Sequence, residues 1–162
     1  MGIITTFAKR YTSPIPPSRM FKALILDSSN LIPKLLPDFI ASIDVIRDHD
    51  EDPPRTIEQV NFTLGANMKC VRNRIDELDE ANLLCKYTMI EGEPLGEKIE
   101  SISYEVKFEA DEEGCACVVT SHYNAVGEYG IEEGEIEEGR EKAMGIFRVV
   151  ESYLLENPHL YN

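Results

Sequence analysis

The sequence predicts an α+β fold in which a curved antiparallel sheet wraps a long terminal helix. Three observations carry this. From Phe39 to Tyr123, apolar and polar residues alternate with period two in short runs joined by turn-rich links. Ahead of those runs lie two proline-punctuated helical segments. After them, from Ile131 to Glu156, the spacing changes to three and four: Ile136, Gly139, Ala143, Ile146, Phe147, Val150, Tyr153 and Leu154 form one apolar stripe.

At 162 residues the chain is long enough for one domain with a sizeable core, taken here as residues 1–162. Apolar content is 43%, and no run of about 18 apolar residues is present to cross a membrane. No secretory signal is visible at the start, so a cytoplasmic location is expected. Cys70, Cys85, Cys115 and Cys117 have no Cys-x-x-Cys spacing and no histidine pair nearby, which argues against zinc and for reduced thiols. The formal net charge of −14 repels phosphate backbones, so nucleic acid is not an expected partner, and the same charge leans towards a monomer.

Taken in order, Gly2 to Thr12 reads as a strand; its opening also fits the pattern of a myristoylation signal formally. Prolines from Pro14 to Pro17 end it and start a short helix to Leu26, and a second helix runs from Ser29 to Leu35, stopping before Pro37. Joined at Asp27-Ser28, the two form a V. The second strand begins at Phe39, and an acidic loop follows at Asp48 to Arg55. Strands are expected at Thr56–Phe62, Asn67–Leu78, Leu83–Glu91, Lys98–Ala110 and Cys115–Tyr123, making seven with the first two. Their short links give an antiparallel meander. The terminal stripe is uneven: Gly139 and Ala143 are small at its front, while Phe147, Val150 and Leu154 are large behind. Pattern alone leaves open both a close-packed helix and empty space beneath that front.

Several separated motifs then match one family. Pro16-Pro-Ser-Arg-Met-Phe-Lys-Ala-Leu-Ile-Leu-Asp27, Asn30-Leu-Ile-Pro-Lys34, Ile90-Glu-Gly92 and Glu151-Ser-Tyr-Leu-Leu155 resemble the plant class-ten pathogenesis-related proteins, the birch pollen major allergen family. The resemblance runs over essentially the whole chain. It implies the helix-grip fold, an internal cavity, and the binding of small amphipathic or hydrophobic guests such as flavonoids, phytohormones or sterol-like lipids, with no cofactor and no metal. One landmark is absent: the family's glycine-rich loop before a Thr-Ile pair is here Asp48-His-Asp-Glu-Asp-Pro-Pro-Arg55, without a glycine. That speaks against a phosphate contact there and against ribonuclease activity.

Carried over position by position, the resemblance implies a ligand-binding lining. Leu24 and Ile32 come from the V, and Ile40 from the second strand, where simple alternation favours Phe39 instead. Val60 and Phe62 follow, then Met68 and Cys70, then Cys85, Tyr87 and Met89. Ile102, Tyr104 and Val106 come next, with Val119, Ser121 and Tyr123 from the last strand. The helix supplies Gly139, Ala143, Ile146 and Phe147. Arg140, on the flank of the stripe beside Glu135 and Glu138, is a separate candidate from its position, either pairing with a ligand carboxylate or phenolate or standing as a surface arginine paired with neighbouring acids. If the hairpin between Met68 and Met89 is centred near Glu77-Leu78, Cys70 faces Cys85 across it. The alternative function is an enzyme of plant specialised metabolism, running a condensation or isomerisation in the same cavity. Relatives resembling norcoclaurine synthases use a lysine on the last strand, and Cys115 to Tyr123 holds none. Glycines 134 and 139 and the crowd of glutamates around them point to a loose front end for the long helix.

Overall fold

The computed structural model describes residues 3–50, 54–63, 70–92, 95–128 and 130–162. The expectations for Gly2, Met68 and the centre of the acidic loop lie outside the described residues. The strands are β1 (Ile4–Ser13), β2 (Ile40–Asp48), β3 (Arg55–Phe62), β4 (Cys70–Asp79), β5 (Leu84–Glu91), β6 (Ile99–Asp111) and β7 (Gly114–Ala125). They form one seven-stranded antiparallel sheet in the order β1-β7-β6-β5-β4-β3-β2. Everything from β2 to β7 is a meander, and β1 closes beside β7, as the alternating runs predict.

Register shifts bend this sheet. Ala41 is the extra residue in β2 between the Ile40–Phe62 and Ser42–Asn61 pairs, Asp76 in β4, and Glu100 in β6. Each bulge adds local twist and changes which face the following residues address. At β2 the bulge resolves the parity question: Ile40 faces inward, and after Ala41 so do Ile43 and Val45.

Helix α1 (Pro17–Phe21) runs into a π-type turn (Lys22–Leu26), and α2 (Ser28–Leu35) follows after Asp27. Pro17 stands at the start of α1, where a missing N–H costs nothing. The first helix packs on β6 and β7, the second on β2 and the long helix. That long helix, α3 (Glu137–Glu156), starts six residues later than the stripe from Ile131 suggests. Ahead of it, Glu133–Ile136 is a 3₁₀ turn. The Glu132 N–H donates to Glu135 Oε2 at 2.8 Å, and Lys98 pairs with Glu135. Gly134 and Gly139 favour the coil over the helix by about 1 kcal/mol each against alanine, which accounts for the tighter, delayed start.

Two apolar clusters hold the sheet to α3. The larger joins Met20, Phe21 and Leu31 to Phe108, Cys115 and the back of α3, where Val150 and Leu154 are fully buried. Rings interlock here: Tyr11 and Phe147 lie 5.6 Å apart, Phe21 and Phe108 5.8 Å. The smaller cluster, Ile102, Tyr123, Ala125, Ile131 and Ile136, closes the other end. Arg19 pins the last turn of α3 from the side. Its guanidinium donates to the carbonyls of Leu154 (3.2 Å), Asn157 (3.0 Å) and Leu160 (3.0 Å) while only 9% exposed. The Leu154 carbonyl is one that a helix end leaves without a partner, at the negative end of the helix dipole, and the other two hold the chain that follows it. Arg19→Met should therefore lower stability by about 2–3 kcal/mol in urea unfolding, far more than Arg10→Met on the exposed edge strand.

Candidate functional site

Between the two clusters the front half of α3 stands over the sheet without touching its floor. The resulting cavity measures about 880 Å³, within the span of sites that enclose a small organic molecule. Adjoining it is a lobe of about 180 Å³ that shares Asn73, Tyr87, Met89, Tyr104, Gly139 and Ala143 with the first. The roof is α3, from Gly139 through Ala143 to Ile146. A Cβ added at Gly139 would meet nothing within 4 Å, a direct reading of the empty space below it.

The floor is built by strand alternation. On β3 the even residues Thr56, Glu58, Val60 and Phe62 face in; on β4 the odd ones do, Val71, Asn73 and Ile75. Cys85, Tyr87 and Met89 of β5 and Tyr104 of β6 continue the floor, and Leu24 and Ile32 of the helical V close its side. Phe39 and Phe62, with ring centroids 5.2 Å apart, line the same wall. Val119, Ser121, Tyr123 and Arg140 border the smaller lobe, with Phe7 and Tyr11 of β1. The mouth carries exposed apolar side chains: Leu26 is 40% exposed, Val45 55% and Leu78 48%.

Four residues implied by the resemblance do not border either space. Cys70 is misassigned by one position: Arg72, which shares its parity, takes its partner on the outer face. Arg72 Nε donates to Gln59 Oε1 at 2.8 Å, which leaves Val71 and Asn73 pointing in. Nor does Cys70 face Cys85, because the hairpin turns between Asp79 and Leu84 and pairs Leu78 with Cys85; both thiols are free. Ile102 and Val106 do face inward with Tyr104, but β6 is 13 residues long and outruns the cavity at both ends. They are therefore buried in the smaller and larger clusters respectively. Phe147 sits where the stripe turns bulky and packs on Tyr11 rather than over the hollow.

The polar groups inside fall into two kinds. Tyr87 and Tyr104 are stacked, with centroids 4.9 Å apart and planes 24° from parallel. Burial pushes the phenol pKa of Tyr87, Tyr104 and Tyr123 above its usual value, so they stay neutral donors and acceptors. The charged kind is Glu58, Asp76, Arg55 and Lys142 on the larger wall, with Lys9 and Arg140 at the smaller lobe. Arg140 is tied to Glu133 (2.9 Å) and Glu137 (3.5 Å) and lies 5.4 Å from the Phe7 ring centroid. Glu58 and Asn73 escape the lining that the resemblance implies. The signal for Glu58 was nevertheless present, since it shares the alternation of Val60 and Phe62.

Among the described residues no three His, Cys, Asp or Glu side chains converge as metal ligands would, and no helix is long and apolar enough to cross a membrane. His122 stands on the outer face, its Nδ1 2.9 Å from Thr6 Oγ1. The thiols are chemically quiet: burial raises Cys85 and Cys117 to about 12 and Cys115 to about 11.

The family model described as "Pathogenesis-related protein Bet v 1 family" matches residues 4–157. Pathogenesis-related protein STH-2 of Solanum tuberosum is 41% identical over 162 residues, 99% of each chain. Major allergen Mal d 1 of Malus domestica is 43% identical over 162 residues, 100% of each. Of solved structures, Ara h 8.0201 superposes with a TM-score of 0.81 at 32% identity, covering 95% of this chain and 99% of that one. Norcoclaurine synthase from Thalictrum flavum superposes with a TM-score of 0.72 at 16% identity, covering 96% of this chain and 89% of that one, a likeness of fold alone.

Two outcomes test this geometry. Gly139→Ala should raise stability by about 0.5–1 kcal/mol, because the new methyl meets open space, whereas Gly139→Leu should weaken a cavity-seated naphthalene-sulfonate dye about tenfold by filling that space. Alkylation with iodoacetamide at about pH 8, followed by peptide mass mapping, should label half-buried Cys70 well before buried Cys85, Cys115 and Cys117.

Proposed function

The chain belongs to the Bet v 1 family of pathogenesis-related proteins, and from that premise we propose that it is an intracellular, cytoplasmic carrier of the plant defence and stress response. It holds a small hydrophobic or amphipathic metabolite, flavonoid, phytohormone or sterol-like, and works as a monomer. The observation that carries this reading is the cavity of about 880 Å³ beneath the small-residue front of α3. Apolar side chains on β3, β5 and α3 would hold the hydrocarbon body of a guest. The implied ligand-binding residues that border the two lobes, from Leu24 to Ile146, supply those contacts, and Tyr87, Tyr104 and Tyr123 supply hydroxyls to orient it.

The physical logic is differential. A hydroxyl buried without a partner costs about 1–3 kcal/mol, so a guest that matches these phenols is favoured over a plain hydrocarbon of the same volume. The exposed apolar rim of Leu26, Val45 and Leu78 gives such a guest a surface to cross on its way in. A condensing or isomerising enzyme is supported less well. β7 carries no lysine, Lys9 on the neighbouring strand is exposed, and the Cys85 thiol is raised to about 12. Nucleic acid is disfavoured as a partner by the charge of −14.

Titration with a naphthalene-sulfonate dye should give saturable binding near one equivalent, displaced by a flavonoid such as quercetin, and native mass spectrometry should retain the guest at its added mass. Absence of displaceable dye binding by the folded protein overturns the carrier reading.

A further inference from the structure

The larger cavity wall carries four charged side chains among the described residues, and three are committed elsewhere. Arg55 Nη1 lies 3.3 Å from Asp76 Oδ1, and that carboxylate also accepts from Arg74 at 2.7 Å and from Thr88 Oγ1 at 2.5 Å. Lys142 sits 5.8 Å from the Phe39 ring centroid and has a further engagement. Glu58 is the exception. No described residue donates a hydrogen bond to it, and burial alone acts on its carboxyl, raising its pKa.

Directly across the β3–β4 ladder from Glu58 is Asn73. Its Oδ1 is fully buried and has no hydrogen-bond partner. An orphaned buried acceptor is rare, because folding normally satisfies every such atom. The wall of a cavity large enough to hold a guest thus carries an uncompensated carboxyl, with a buried, unsatisfied amide oxygen behind it.

We propose that the cavity selects an apolar amine, whose cationic N–H groups are held by the Glu58 carboxylate while its hydrocarbon body lies against Val60, Phe62 and Ile146. This rests on the carrier reading and narrows it to one chemical class. A carboxylate guest meets like charge at Glu58. A neutral guest leaves the carboxylate desolvated and unpaired, the costly state for a buried ion. An ammonium supplies both the charge and the donors, and charge-assisted bonds are about twice as strong as neutral ones.

The test compares three probes on one ring system: naphthylmethylamine, naphthylmethanol and naphthoate, titrated by fluorescence and calorimetry at about pH 7.5. The amine should bind at least about tenfold more tightly than the alcohol, with the naphthoate weakest. In Glu58→Gln the amine-to-alcohol ratio should fall to about twofold or less.

The wild-type ratio also has a pH signature. Lowering pH through the carboxylate range protonates a carboxyl whose pKa burial has raised. The amine stays charged across that range, so its advantage should fade as pH drops. Among the described residues, the other titratable or charged groups facing the cavity are Arg55, Asp76, Cys85, Tyr87, Tyr104 and Lys142. Burial moves Cys85 and Tyr87 further from this range, and Glu58→Gln separates the Glu58 contribution from that of Asp76. The ranking of the three probes by the wild type decides the matter even if the variant does not fold. Equal binding of the three probes, a preference for naphthoate, or a ratio indifferent to pH overturns this inference while leaving the carrier reading intact. Binding of none overturns both.

Discussion

A step in side-chain size along α3 governs this molecule. Behind the step, Phe147, Val150 and Leu154 fill the space between helix and sheet and are almost wholly buried. Ahead of it, Gly139 and Ala143 reach too little to touch the floor, and the same helix spans a hollow. A helix is a rigid rod over this distance, so its closely packed back half holds the front half aloft. Emptiness of this size forgoes dispersion contacts that a filled core would make. Two sets of contacts keep it open. The larger cluster clamps one end of α3, and Arg19 satisfies the carbonyls at its last turn. At the other end the smaller cluster and the Lys98–Glu135 pair hold the 3₁₀ turn against β6 and β7.

The sheet contributes the complementary curvature. A flat sheet would meet the rod along a line and leave two open clefts; a bulged and twisted one wraps it and encloses a single space. The bulge at Asp76 has a second effect, since it places Asp76 and then Leu78 on the cavity side after Val71, Asn73 and Ile75. Backbone irregularity therefore changes the chemistry of the wall as well as its shape. The committed ion pairs of Asp76 stand beside the uncommitted Glu58 because of it.

Much of this architecture was legible in the residues. Period-two runs located all the strands from β2 to β7 to within a few positions, and proline placement located the V. The uneven stripe left open both a close-packed helix and a hollow front of α3, and the coordinates show the hollow. The parity of single strands was harder. Alternation says which residues share a face, yet it does not say which face is inside when both carry polar groups. On β4 the choice hung on the outer-face network of Arg72, Gln59 and Asn61, a cross-strand arrangement invisible in one strand's sequence. Cys70 was lost to that. Ile102, Val106 and Phe147 were lost for another reason, because a correct inward parity does not tell where along a 13-residue strand, or a 20-residue helix, the hollow ends. Glu58 shows the opposite failing. Its alternation with Val60 and Phe62 was plain, but a carboxylate is not a residue one expects on an apolar wall.

That last point bears on how such a cavity acquires selectivity. Apolar walls discriminate weakly, since one methylene is worth about 1–3 kcal/mol. Phenols held neutral by burial add orientation but accept or donate with equal ease, and so tolerate many guests. A buried group whose needs are one-sided discriminates much more sharply, because the wrong guest leaves it unpaired. Glu58 is of that kind, an acceptor on the cavity wall with no described donor. Within one permissive fold, the identity of the guest is then set less by the volume beneath α3 than by the few wall atoms that the protein itself leaves unsatisfied.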